Sequence, residues 1–126
     1  MAGLGRRGPA AAVAALRVGY GIALTGAPAR LGRRWLGPQS AGRPTQVALR
    51  GLGARDAVIN AGALVAAVRG DAVRPWLAAA IAGDLADLGA TVAGRDGLPD
   101  GSPRLAAAVI AASIALTAAA LAVADA

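Results

Sequence analysis

The sequence has no cysteine, histidine, lysine, glutamate or phenylalanine. Each absence removes a class of chemistry. Without cysteine there is no disulfide and no thiol nucleophile, and without cysteine or histidine the usual zinc and iron ligand sets cannot be assembled. Without histidine, no side chain titrates near neutrality unless its surroundings move it. Aromatic residues are almost absent, with two tryptophans and one tyrosine. The positive charge rests on arginine alone and the negative on aspartate alone, with a formal net charge of +6. A basic chain could pair with nucleic acid, but that requires a basic face interleaved with stacking rings, and here the arginines are dispersed between apolar runs. No nucleic-acid partner, cofactor or metal ion is expected.

Small apolar residues are what the chain has in excess. Of its 126 residues, 56% are hydrophobic, mostly alanine with valine, leucine and isoleucine, which is above the soluble average. The length allows one domain. Four apolar runs, at residues 9–27, 47–68, 75–94 and 105–124, are each about as long as a bilayer is thick. Their boundaries carry helix punctuation. Pro9 opens the first run and Pro28 closes it; Thr45 reads as a cap for the second, which Gly70 ends; Pro75 sits in the first turn of the third, beside Trp76 as an interfacial anchor. Ser102 and Pro103 read as cap and first turn of the fourth, which is uncharged between 105 and 124 and carries Ser113 and Thr117 at i, i+4.

The expected fold is therefore all-α: an integral membrane, antiparallel four-helix bundle in a single domain over residues 1–126. A secretory signal is the rival reading of the first run, because Ala27-Pro28-Ala29 mimics a cleavage pattern, but Arg17 in its middle argues against it. Residues 30–45 form a basic interfacial loop. Leu31, Trp35 and Leu36 are spaced for one or two helical turns among Arg30, Arg33 and Arg34, which suits anionic lipid head groups. The bias towards alanine, glycine, arginine and proline is that of a GC-rich bacterial genome, and the expected place is a bacterial plasma membrane, multi-pass. Arg30, Arg33, Arg34, Arg43, Arg95 and Arg104 share one side, against Arg6, Arg7, Arg69 and Arg74 on the other, so the former side leans cytoplasmic.

Charges in the middle of these runs are the feature that needs explaining. On an insertion scale a central aspartate or arginine costs roughly 3 kcal/mol, while each leucine, isoleucine or valine returns about 0.5 kcal/mol. The second run, carrying Arg50, Arg55 and Asp56, would not insert alone. Counting about 1.5 Å per residue, Arg17 lies ~12 Å and Asp84 ~13 Å from one face, with Arg55 and Asp56 at ~17 Å and Asp87 at ~18 Å. Five ionisable groups from three helices thus fall in one thin slab. Arg17 is expected to pair with Asp84 or Asp87 and Arg55 with the other, while Asp56, Asn60 and Tyr20 complete the hydrogen bonds. Arg55 points about 100° from Asp56, so the two are not expected to meet the same neighbour. Two cations face three carboxylates, and a proton or Arg50 reaching inward would balance the sum.

The residues GARD at 53–56, DLAD at 84–87, Arg17-x-x-Tyr20 and RxWLG at 33–37 resemble small four-span bacterial membrane proteins related to the DoxX-like superfamily. The resemblance implies a four-helix bundle with a polar interior. The quinone or sulfur redox chemistry of the best-known members does not carry over to a chain without cysteine.

Two functional classes follow. In the first, the protein is a non-catalytic accessory or scaffold component whose polar layer (Arg17, Tyr20, Arg55, Asp56, Asn60, Asp84, Asp87) fixes helix register. In the second, Asp56, Asp84 and Asp87 are catalytic candidates doing acid–base or proton-transfer work on a lipophilic, quinone- or polyketide-like substrate. Magnesium held by Asp84 and Asp87 is a third and weaker reading. The expected partners are the lipid bilayer and a second copy or another membrane protein.

Overall fold

The computed structural model describes residues 4–125. Five α-helices run in chain order: α1 Gly8–Gly26, α2 Pro28–Leu36, α3 Arg43–Arg69, α4 Arg74–Ala93 and α5 Ser102–Asp125. Short 3-10 turns precede α1 and follow α2 and α4. All but α2 are long and apolar enough to cross a membrane, the pattern of a multi-pass membrane protein.

The breaks follow from local chemistry. Ala27 takes φ −135° and ψ 59° because the residue before a proline is driven out of the helical region, and Pro28 then starts α2 where its missing N–H is not needed. Gly70 ends α3 at φ 83°, a conformation that favours glycine. Two expected caps fall elsewhere. Pro44 allows α3 to begin at Arg43, so Thr45 lies inside the first turn with no side-chain cap bond. The Ser102 hydroxyl donates instead to the backbone carbonyl of Trp35, tying α5 to α2.

The four long helices close a ring in which α1 packs on α3, α3 on α4, α4 on α5 and α5 on α1. Neighbours are antiparallel. Gly21 and Thr25 of α1 meet Gly53 and Arg50 of α3, in reverse order along the chain. Trp76 and Asp87 of α4 likewise meet Gly62 and Arg55 of α3, and Arg74 at the start of α4 bonds Asp125 at the end of α5.

The α1–α3 crossing is the closest. A Cβ on Gly21 would lie 2.6 Å from the Gly53 carbonyl oxygen, and one on Gly53 would lie 2.6 Å from the Gly21 oxygen. Only glycine lets two backbones approach this far, which is how weakly apolar helices gain packing where lipid supplies no hydrophobic drive. On the third helix Gly62 accommodates the Trp76 ring, so this tryptophan is seated on a helix as well as half exposed.

A contiguous cluster of buried apolar residues sits at one end of the bundle, while Leu24 and Leu49 are buried towards the other. Ala10, Ala11 and Ala14 of α1 pack with Ala63, Ala66 and Ala67 of α3, Leu77 of α4 and Ala120 of α5. At the other end the basic segment expected at residues 30–45 is largely helix. Gly32 of α2 lies against Leu49 of α3 and Gly37 against Pro99, so α2 is packed onto the bundle, while Arg30, Arg33 and Arg34 stay exposed.

Candidate functional site

The charged side chains meet halfway along the bundle, where the alanine core ends. Arg17 of α1 reaches across the ring to Asp84 of α4, and the two form a paired contact, Nη1 to Oδ2 and Nη2 to Oδ1, both 2.7 Å. Nη1 also donates to the hydroxyls of Ser113 and, at 3.2 Å, Thr117 on α5. Both ionic side chains are nearly buried, at 11% and 8% exposure. A guanidinium and a carboxylate leave water at this depth only if hydrogen bonds replace it, and here the fork geometry and two hydroxyls supply four.

Arg55 of α3 serves the other two carboxylates. Its Nη2 donates to Asp87 Oδ2 at 3.0 Å and to Asp56 Oδ1 at 3.2 Å. The guanidinium lies across Gly83 of α4, where a Cβ would sit 3.3 Å from Nη2. Unlike Arg17, Arg55 engages both partners through one nitrogen, and its side chain is 37% exposed. The side-chain amide of Asn60 donates to the backbone oxygen of Asp56 at 2.8 Å, and its own oxygen is buried without a partner among the described residues.

The pairing expected from depth is therefore met with one choice resolved: Arg17 takes Asp84 and Arg55 takes Asp87. Three expectations need correction. Arg55 and Asp56 do share a neighbour, because the long arginine stem carries the guanidinium back around the helix to the carboxylate beside it. Tyr20 is exposed and bonds none of the layer's side chains among the described residues. Arg50 is exposed and does not reach the layer, so the carboxylate excess is not balanced from there. Asp84 and Asp87 are each held by a different arginine, an arrangement that does not present them as a joint magnesium site.

Beyond the layer, towards α2, the helices part around a cleft of about 610 Å³. Arg17, Asp56, Asp84 and Asp87 lie at its polar floor. Its walls are Val13, Leu16, Tyr20 and Leu24 of α1 and Leu105, Val109, Ile110 and Leu116 of α5, with Leu31, Arg34 and Trp35 of α2 as a roof. Several wall residues are more than half exposed, including Leu16 at 69% and Val109 at 60%, so the cleft opens sideways between α1 and α5 onto the surface that faces lipid. The roof is anchored: the Trp35 indole donates to Thr91 at 3.1 Å, and Thr91 donates to the Asp87 carbonyl at 2.8 Å.

Ser113, Thr117, Trp35 and Thr91 are the site residues that sequence reasoning did not assign. The i, i+4 spacing of the two hydroxyls on an otherwise apolar helix was the available signal, since a hydroxyl pair facing a bundle interior seeks a donor or a charge.

Comparison with family models, with curated proteins and with solved structures found no match for this chain.

Proposed function

We propose that this is a multi-pass protein of the bacterial plasma membrane that holds a lipophilic molecule in the α1–α5 cleft, with its polar end against Asp56 and Asp87. The observation that carries this reading is the position of the charged layer at the floor of an apolar-walled cleft. A cavity of about 610 Å³ is within the size range of small-molecule sites, and such sites combine apolar walls with a few convergent polar groups. The side opening gives a ligand dissolved in the bilayer a route that avoids water.

Within this reading the two halves of the layer have different work. The Arg17–Asp84 pair locks α1, α4 and α5 in register. Asp56 and Asp87, sharing one guanidinium nitrogen, keep acceptor capacity for hydrogen bonding or proton exchange with a quinone- or polyketide-like head. The exposed Arg30, Arg33 and Arg34 of α2 are suited to anionic head groups at the membrane surface. The resemblance to DoxX-like proteins supports the same picture of a four-span bundle with a polar interior.

A purely structural scaffold is the second reading, favoured by the four hydrogen bonds that Arg17 donates to Asp84, Ser113 and Thr117. Asp87→Asn and Ala106→Phe, the latter filling the cleft from a lining position on α5, separate the two when membrane accumulation and co-purified lipophiles are both measured in polymer-extracted nanodiscs. Ligand binding requires normal accumulation with loss of the co-purified molecule in both variants. Accumulation that falls in Asp87→Asn, with no lipophile recovered from the parent chain, supports the scaffold.

A further inference from the structure

The charge count at the cleft floor fixes which kind of head group fits. Arg17 is engaged by Asp84, to which it donates two hydrogen bonds, and by the hydroxyls of α5. That half of the layer is neutral, although Arg17 and Asp84 also line the cleft. In the other half one cation, Arg55, faces two carboxylates and touches both through a single nitrogen. Asp56 and Asp87 both line the cleft, whereas Arg55 approaches from the far side over Gly83 and does not. At the floor, Arg17 and Arg55 therefore face three carboxylates, one negative charge beyond neutrality, while the cleft's other lining cation, Arg34, sits in the roof. The buried Asn60 oxygen and the buried Arg55 Nε, neither with a partner among the described residues, lie outside the cleft lining. The cleft's two aromatic residues, Tyr20 in the wall and Trp35 in the roof, offer ring faces that attract cations.

We propose that the cleft takes an amphiphilic cation, a protonated amine or quaternary ammonium carried on an apolar tail. The head sits against Asp56 and Asp87, and the tail lies along Leu16, Val109 and Leu116 towards the bilayer. This rests on the reading of the cleft as a lipophile site and adds the sign of the head group. A cation that enters this floor meets two carboxylates that share a single guanidinium in a low-dielectric setting, whereas an anion would meet the same surplus as repulsion. Among the described residues, Arg34 in the roof is the one cation lining the cleft that has no partner on the floor, and an anionic amphiphile held there by its head would reverse the expected preference.

The test uses the full chain in phosphatidylcholine nanodiscs with Trp76→Phe, so that emission reports Trp35. Dodecyltrimethylammonium, dodecanol and dodecyl sulfate are titrated separately below their aggregation limits. The expected result is a Trp35 response to dodecyltrimethylammonium at a concentration about tenfold lower than to dodecanol, with dodecyl sulfate weakest. Asp56→Asn should erase that preference, Asp56→Glu should keep it, and Ala106→Phe should weaken all three probes. Equal responses to the cation and the alcohol, both weakened by Ala106→Phe, would overturn the cation assignment and leave the lipophile site standing. Tightest binding of dodecyl sulfate would also overturn it. No saturable response to any probe would overturn both.

Discussion

The two ends of this bundle are built from the same four helices and the same kind of residue, yet one is shut and the other open. At the end where α1 starts and α5 finishes, Ala10, Ala14, Ala63, Ala66 and Ala120 let the helices close around Leu77, which is fully buried. At the α2 end the facing residues are Leu16, Tyr20, Leu105, Val109 and Leu116, larger side chains that hold α1 and α5 apart and leave a cleft. The lesson is that alanine, a weak membrane residue, contributes here through closeness: helices with small faces gain dispersion contacts and interhelical hydrogen bonds rather than transfer energy. The charged layer lies where the two regimes meet. Its locked and shared halves both line the cleft, and they differ in how fully each arginine is engaged.

The comparison can be broken first at the lock. Asp84→Asn leaves the Arg17 guanidinium buried without its counter-ion and should destabilise the bundle by about 3–5 kcal/mol, measured by unfolding in mixed SDS micelles. The same change at Asp56 leaves Arg55 with Asp87 and should shift stability by less than about 1 kcal/mol in that assay. A comparable loss in both variants would erase the distinction between the halves. Next in size, Leu77→Ala at the shut end should cost about 3 kcal/mol, and Leu116→Ala in the cleft wall less than about 1 kcal/mol. Gly53→Ala should cost about 2 kcal/mol by pushing α3 away from α1, visible as a lower midpoint in the same titration. Among the changes that touch the lock, the hydroxyls matter least: Thr117→Val should remove about 1 kcal/mol, because Arg17 keeps Asp84 and Ser113.

The sequence carried the vertical coordinate of this molecule and little of the lateral one. Rise per residue put Arg17, Arg55, Asp56, Asp84 and Asp87 at one depth, and apolar run length with proline and glycine punctuation placed the four long helices within a few residues. Which carboxylate faces which arginine depends on how the helices sit side by side, and that is set by the Gly21–Gly53 contact and the Trp76–Gly62 seat, neither of which has a periodic signature. The fourth helix illustrates the limit. Read alone it is an apolar wall, and only its position beside Arg17 turns Ser113 and Thr117 into ligands of a guanidinium. The roof was partly legible: Leu31 and Trp35 have helical spacing, but their docking over the cleft rests on Thr91 and Ser102, far along the chain. The direction argument that separated Arg55 from Asp56 failed because it treated a flexible stem as a fixed vector.

The central claim is that the charged layer is the floor of a cleft open to the bilayer, with a closed alanine core behind it. Solid-state NMR of the protein in lipid tests this by following polarisation from acyl-chain and water protons to individual carbons. The account predicts rapid transfer to the Val109 and Leu116 methyls and to the Asp56 and Asp87 carboxyls, and slow transfer to Ala63, Ala66 and Leu77. Equally slow transfer to both sets, with direct contacts between Leu16 and Val109, would contradict it.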